Sequence, residues 1–182
     1  KKEYAYTTGT PGTLQNEIGY GYSGDRLTQC GGEICEYDAN GNPTVYCGKM
    51  LGWTRGRLLA SYGTATYAYN AAGQRTSKTA NGRATEYIWS GERLLGERLN
   101  NGSWTRFYYD STGIIGYSVG NAVYTFRKNL QGDITGIYDE NGVLFGEYEY
   151  DAWGNVLAEK VLVTGMYTPL HNNPIRYRGY YY

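Results

Sequence analysis

The sequence predicts an all-β fold, a repeat array of antiparallel β-hairpins forming a curved, extended sheet, and three observations predict it. A turn phrase recurs: Tyr37-Asp38-Ala39-Asn40-Gly41, Tyr69-Asn70-Ala71-Ala72-Gly73, Tyr109-Asp110-Ser111-Thr112-Gly113, Tyr138-Asp139-Glu140-Asn141-Gly142 and Tyr150-Asp151-Ala152-Trp153-Gly154. A second phrase alternates with it, in Gly24-Asp25-Arg26-Leu27, Gly56-Arg57-Leu58-Leu59 and Gly91-Glu92-Arg93-Leu94-Leu95. The period is loose, in the thirties, and falls to 150 − 138 = 12 near the C-terminus, so each repeat holds two turns and two or more strands. Between turns, bulky aromatic and β-branched residues alternate with polar ones near period two, the pattern of half-buried strands.

Taken in chain order, the elements follow from local chemistry. Asp38, Asn70, Asp110, Asp139 and Asp151 can hydrogen-bond the backbone ahead of them, and Gly41, Gly73, Gly113, Gly142 and Gly154 accept a positive φ, so the chain reverses at each. Asn40-Gly41, Asn81-Gly82, Asn101-Gly102 and Asn141-Gly142 add the dipeptide that most favours hairpins. Thr66–Tyr69, Arg83–Trp89, Trp104–Tyr109 and Gly146–Tyr150 carry the strand pattern. The best helix candidate, Leu157 to Val163, is short and ends on β-branched residues, and the chain reads as essentially helix-free.

Composition sets limits on function. The 182 residues include 27 Gly and 22 Tyr against 3 Phe, so Tyr takes the place that Leu, Val and Phe hold in an ordinary β core. A Tyr ring covers neighbouring sheet while its hydroxyl stays near water, which suits a broad, thin sheet. Formal net charge is zero, with 17 basic and 17 acidic residues and no basic stripe, which argues against a nucleic-acid partner. Apolar runs are far below the roughly 20 residues of a membrane helix, and no leader pattern opens the chain. It starts without Met and stops on the strand-like Tyr180-Tyr181-Tyr182, and reads as excised from a longer protein. Three cysteines, Cys30, Cys35 and Cys47, lie in one repeat; three free thiols, or one disulfide as Cys35–Cys47 or Cys30–Cys35, are the alternatives, and no spacing supports zinc.

The alternating Gly-x-Arg-Leu and Tyr-Asp-x-x-Gly phrases resemble the Rhs/YD-repeat family of bacterial polymorphic toxins and wall-associated proteins. The stretch Arg127–Gly142, then Tyr148–Asn155, then Asn173-Pro174-Ile175-Arg176-Tyr177-Arg178-Gly179-Tyr180 resembles the family's repeat-associated core. The whole chain, 1–182, is thus one repeat segment, with looser repeats over about 1–108 and core-like repeats over about 109–182. The resemblance implies a secreted or cell-surface protein whose repeats spiral into a shell enclosing a C-terminal toxin. In the family, self-cleavage belongs to an Asp-Pro segment beyond the core, and no Asp-Pro occurs in these residues. The expected role is structural and non-catalytic, without cofactor or metal, with neighbouring repeats and a C-terminal cargo as partners.

Individual residues offer little support for other chemistry. Asp38, Asp139 and Asp151 superficially suggest calcium loops but lack the twelve-residue loop and its closing Glu. His171 is the sole histidine and reads as a surface residue. Glu147, Glu149 and Asp151 alternate along one strand, a spacing ordinary on a wet sheet face and weak evidence for a hydrolase acid pair. Arg57 and Arg93 read as scaffold, stems packed over Tyr or Trp rings. Trp53, Trp89, Trp104 and Trp153 would form the stacking platform of the rival function, a carbohydrate-binding or adhesive module. Cut strand edges, notably a strand from Arg176 to Tyr182, are expected to pair with a second copy of the chain.

Overall fold

Turn chemistry decides where the strands begin and end. The computed structural model describes residues 2–5, 13–163 and 169–181, and its packing divides between Ala84 and Thr85 into two compact units. In the first unit, β1 (Lys2–Ala5) pairs with β2 (Thr13–Glu17), and β3 (Tyr20–Ser23), β4 (Arg26–Cys30) and β5 (Glu33–Ile34) form a three-stranded sheet. The ladder β6 (Glu36–Tyr37), β7 (Pro43–Tyr46), β8 (Lys49–Thr54), β9 (Leu58–Tyr62), β10 (Ala65–Tyr69) and β11 (Arg75–Ala80) then runs in chain order. The second unit holds β12 (Arg83–Ser90), which starts at the boundary, β13 (Arg93–Leu99), β14 (Trp104–Asp110), β15 (Gly113–Val119), β16 (Ala122–Lys128), β17 (Ile134–Asp139), β18 (Leu144–Tyr150) and β19 (Val156–Val161). Each of these pairs antiparallel with the next.

The fold is therefore the all-β array of consecutive antiparallel hairpins that the sequence predicts. The window Leu157 to Val163 lies mostly in β19, its β-branched residues suiting a pleated strand better than a helix. Helical structure among the described residues is confined to α1 (Pro169–Asn172) and a 3-10 turn over Tyr177–Gly179.

Among the described residues, six hairpins share one five-residue turn. Its first residue donates its N–H to the carbonyl four residues on and accepts the N–H of the Gly three residues on, at 38–42, 70–74, 99–103, 129–133, 139–143 and 151–155. Gly41, Gly73, Gly102, Gly132, Gly142 and Gly154 have φ between 77° and 89°. This is the three-residue hairpin loop closed by a Gly bulge, and the strand register slips beside it, as between Ala68 and Tyr69 or Glu149 and Tyr150. The leading side chain clamps the loop. Asp38 Oδ1 accepts the N–H groups of Asn40 (2.9 Å) and Asn42 (2.8 Å), Asp139 Oδ1 those of Asn141 (2.9 Å) and Val143 (2.7 Å), and Asp151 Oδ1 those of Trp153 (2.8 Å) and Asn155 (2.9 Å). Asn70 uses its Oδ1 on Gln74 N–H at 3.0 Å. Asp110 differs: it pairs across with Gly113 as the last residue of β14, and its carboxylate holds Thr112.

The two sequence phrases meet in space. Tyr37 Oη donates to Leu27 O at 2.9 Å, Tyr69 to Leu59 O at 2.8 Å, and Tyr109 to Leu94 O at 2.9 Å. In these three turn phrases the Tyr thus ties to a Leu of the Gly/Arg/Leu phrase before it. Tyr150 makes the same bond to Ile134 O at 2.8 Å. The Arg of the phrase covers the same ring, with Arg26 5.6 Å from the Tyr37 centroid and Arg93 5.4 Å from that of Tyr109. Arg57 instead donates to Asn40 O in the neighbouring turn.

The apolar core lies in the second unit. Tyr87, Leu94, Phe107, Ile114, Tyr117, Tyr124, Ile134, Ile137 and Tyr148 from the strands pack with Leu170 and Ile175 from beyond them. Tyr117 stacks on Tyr124 at 5.1 Å between centroids and leans on Phe126.

Two outcomes follow from the turns. Gly142→Val forces a β-branched residue to φ near 77° and is expected to destabilise the chain by about 1–3 kcal/mol, read as a shift in urea midpoint. The carboxyls of Asp38, Asp139 and Asp151 lie below their ordinary range, chiefly because Asn42 amide, Val143 N–H and Asn155 amide donate to them respectively. The unfolded chain therefore takes up protons first as pH falls through about 3.9, so stability holds from neutral pH to about 5 and drops below that. Urea unfolding at pH 3 and 6 checks this: replacing all three by Asn should narrow the difference between the two pH values.

Candidate functional site

After β19 the chain returns as a hook, residues 169–181, laid on the sheet of the second unit. The sequence expectation of an Arg176–Tyr182 edge strand is corrected: among the described residues only an isolated bridge, Ile175 to Tyr181, is formed. Arg178 (φ 55°) and Gly179 (φ 68°) turn the chain, and Arg176 N–H donates to Tyr180 O at 3.1 Å, closing the reversal. Tyr182 lies outside the described residues.

Each part of the hook has a strand partner. Tyr117 Oη of β15 donates to Pro169 O at 2.9 Å, and Tyr148 Oη of β18 donates to Leu170 O. Leu170 sits over Gly146, where an added Cβ would lie 2.8 Å from Leu170 Cδ2 and 2.5 Å from Lys160 O; no side chain fits. Asn173, buried, accepts Ile175 N–H and donates to Ile175 O, shaping the chain into the reversal. Ile134 N–H at the head of β17 donates to Arg176 O at 3.2 Å. Asp133 Oδ1 accepts the Arg178 N–H at 3.0 Å, while its Oδ2 accepts the Asn129 amide at 2.7 Å.

The flanks are polar and aromatic. Arg176 Nη1 pairs with Glu159 Oε1 of β19 at 2.6 Å and lies 5.1 Å from the Tyr148 ring centroid. His171 Nδ1 lies 2.5 Å from Glu159 Oε2, so this histidine, read from the sequence as a surface residue, is half-exposed beside the same carboxylate. Tyr177 packs on Tyr150 and above Gly154, and its hydroxyl donates to Ala152 O at 3.1 Å. Tyr181 meets Tyr87 edge-on at 5.5 Å and donates to Glu97. Burial pushes the Tyr148 phenol up to about 12 and raises those of Tyr150 and Tyr181, so all three stay protonated donors at neutral pH.

Arg176, Tyr177, Arg178, Gly179 and Tyr180 are thus brought onto one sheet, together with Gly154 from the turn at 151–155. The turn residues Asp38, Gly41, Asn70 and Gly73 belong to the first unit, and Asp110, Gly113, Asp139, Gly142 and Asp151 stand at separate hairpins of the second. Asp133, Glu159, Tyr117 and Glu97 carry no individual mark in the sequence: their partners in the hook lie up to 84 residues away, and no local periodicity carries such a signal.

The three carboxylates that alternate along β18 and its turn are each engaged separately. Glu147 pairs with Arg127 at 2.7 Å, Glu149 with Lys160, and Asp151 serves its turn. An open groove of about 540 Å³ beside the hook, lined by Asn129, Asp133, Glu149, Asp151, Tyr177 and Arg178 among others, has no Ser, Cys or His in its wall. Among the described residues no group of three or more His, Cys, Asp or Glu is arranged to hold a metal ion, and no helix is long and apolar enough to cross a membrane. The tryptophans are engaged separately: Trp53 donates to Pro43 O, Trp89 packs against the core, Trp104 carries Arg98, and Trp153 projects from its turn.

Leu170→Ala opens a cavity under the hook and is expected to cost about 2–4 kcal/mol in urea unfolding.

No protein-family model matches the chain. Among curated proteins it is 31% identical over 169 residues to the tRNA3(Ser)-specific nuclease WapA of Bacillus spizizenii, and equally to the tRNA nuclease WapA of Bacillus subtilis. The match takes in 87% of this chain and 7% of each relative, so the chain spans a small part of their length. Among solved structures, TcdB2-TccC3 without its hypervariable C-terminal region superposes with a TM-score of 0.61 at 16% identity, over 80% of this chain and 8% of that one, a likeness of fold. With the alternating phrases joined through Tyr and Leu and 31% identity to these relatives over most of its length, the chain belongs to the Rhs/YD-repeat family.

Proposed function

We propose that this segment is a non-catalytic wall of an Rhs-type β-shell, in a secreted or cell-surface bacterial protein, and that it encloses and presents a C-terminal toxin or effector domain of the same polypeptide. The observation that carries the reading is the hook: residues 169–181 are fastened to the second unit by backbone, carboxylate and aromatic contacts, so a polypeptide following them would start from a fixed place on the sheet. The relatives' names point the same way, two being tRNA nucleases and the solved neighbour possessing a hypervariable C-terminal region. A carbohydrate-binding or adhesive role draws less support, because of the four tryptophans Trp153 alone is exposed and the others are partly buried. Pairing between copies would use the open ladder edge at β19, since the hook is folded down.

Two measurements test the proposal. The 182-residue chain incubated with total tRNA is expected to leave it intact. In the full-length protein, the C-terminal domain is expected to resist limited proteolysis and to become cleavable in the Leu170→Ala variant. RNA cleavage by the segment that one substitution abolishes, or a C-terminal domain equally cleavable with and without the intact hook, would contradict it.

A further inference from the structure

The three cysteines of the first unit converge although they come from three places in the chain. Cys30 ends β4, Cys35 lies between β5 and β6, and Cys47 occupies the β7–β8 turn. The Cys47 N–H donates to Cys35 Sγ at 3.3 Å, and the thiols of Cys30 and Cys35 both neighbour that of Cys47. Cys35 is buried, while Cys30 and Cys47 are partly exposed. Cys47 (φ 46°) and Gly48 (φ 71°) form the two-residue turn that joins β7 to β8. All three are free thiols in this structure.

We propose that Cys30, Cys35 and Cys47 form an oxidisable thiol triad with Cys47 as the shared member, which closes one disulfide to Cys30 or to Cys35 and leaves the third thiol to exchange with it. The sequence left two pairings open, Cys35–Cys47 and Cys30–Cys35; the structure adds Cys30–Cys47 and puts Cys47 at the centre. Closing Cys30–Cys47 links β4, in the separate three-stranded sheet, to the β7–β8 hairpin of the β6–β11 ladder. Closing Cys35–Cys47 ties the joint between those sheets to the same hairpin. Either bond cross-links parts of the unit that share no strand ladder.

The chemistry balances with a small disulfide as oxidant. The Cys30 thiolate attacks one sulfur of the oxidant, forming a mixed disulfide and releasing one thiolate. Cys47 gives its proton to solvent, its thiolate attacks Cys30 Sγ, and the second oxidant thiolate departs. Two cysteines are oxidised, one external disulfide becomes two thiols, and Cys35 can then attack Cys47 Sγ and displace Cys30. The neighbouring thiols raise the Cys47 thiol to about 12, so the resolving step speeds up as the solution is made more alkaline.

The test is disulfide mapping of the chain after incubation with oxidised glutathione at pH 7 and pH 9, alkylation of remaining thiols and non-reducing peptide mass spectrometry. The expected result is one internal disulfide per chain, Cys47 in every one, one alkylated cysteine, and at least a tenfold faster closure at pH 9. Cys30→Ser and Cys35→Ser should each still close a bond through Cys47. Three alkylated thiols, a predominant Cys30–Cys35 bond, or disulfides only between chains in the unsubstituted protein would overturn the proposal, and that reading needs no variant to fold.

Discussion

A tyrosine hydroxyl that must find a backbone carbonyl is the interaction on which this structure depends. A chain with 22 Tyr and 3 Phe covers its sheet with phenol rings, and every ring that sinks into the packing takes a polar group with it. An unpaired hydroxyl there costs about 1–3 kcal/mol, which a carbonyl within reach offsets. Tyr37, Tyr69, Tyr109 and Tyr150 satisfy this by bonding a carbonyl of an earlier strand. Tyr117 and Tyr148 do the same with the carbonyls of Pro169 and Leu170. One kind of bond therefore ties repeat to repeat and fastens the returning hook.

The turns set up this arrangement. A clamped loop of fixed length places the Tyr that precedes it at a set register, because the Asp or Asn side chain and the positive-φ Gly leave the loop one shape. The register shifts by one residue beside Tyr37, Tyr69, Tyr109 and Tyr150, and each of these tyrosines reaches the carbonyl of an earlier strand. The Arg of the Gly/Arg/Leu phrase lies over the ring in the Arg26–Tyr37 and Arg93–Tyr109 pairs. Where the phrase departs, the pairing adapts: Gln131-Gly132-Asp133-Ile134 has no Arg, and Asp133 is committed instead to the hook through the Arg178 N–H.

What could be read from the sequence is what is local. Asp139, Asn141 and Gly142 announce their hairpin because every bond that shapes it lies within five residues. The turn at 99–103 has the same backbone bonds but begins with Leu99, so Gly102 was legible through Asn101 and the clamp was not; here Asn101 Oδ1 holds Ser103 N–H instead. The run Tyr180-Tyr181-Tyr182 looks like a strand because aromatic residues favour pleated surfaces, yet residues 176–180 turn back through Arg178 and Gly179. The deciding partner, Asp133, is 45 residues away, and side-chain periodicity says nothing about a bond of that span. The Arg176–Tyr180 motif was recognised by resemblance alone, and its seat of Glu159, Tyr148 and Asn173 could be found only in three dimensions.

The claim that tyrosine hydroxyls fasten the hook to the second unit is tested most directly by hydrogen–deuterium exchange resolved to peptides covering residues 169–181. The account predicts that these amides are protected to a level near that of β15 to β18, and that Tyr117→Phe with Tyr148→Phe removes this protection while β12 to β14 keep theirs. Exchange of residues 169–181 at the rate of an unstructured peptide in the unsubstituted chain, or protection unchanged in the double variant, would contradict it.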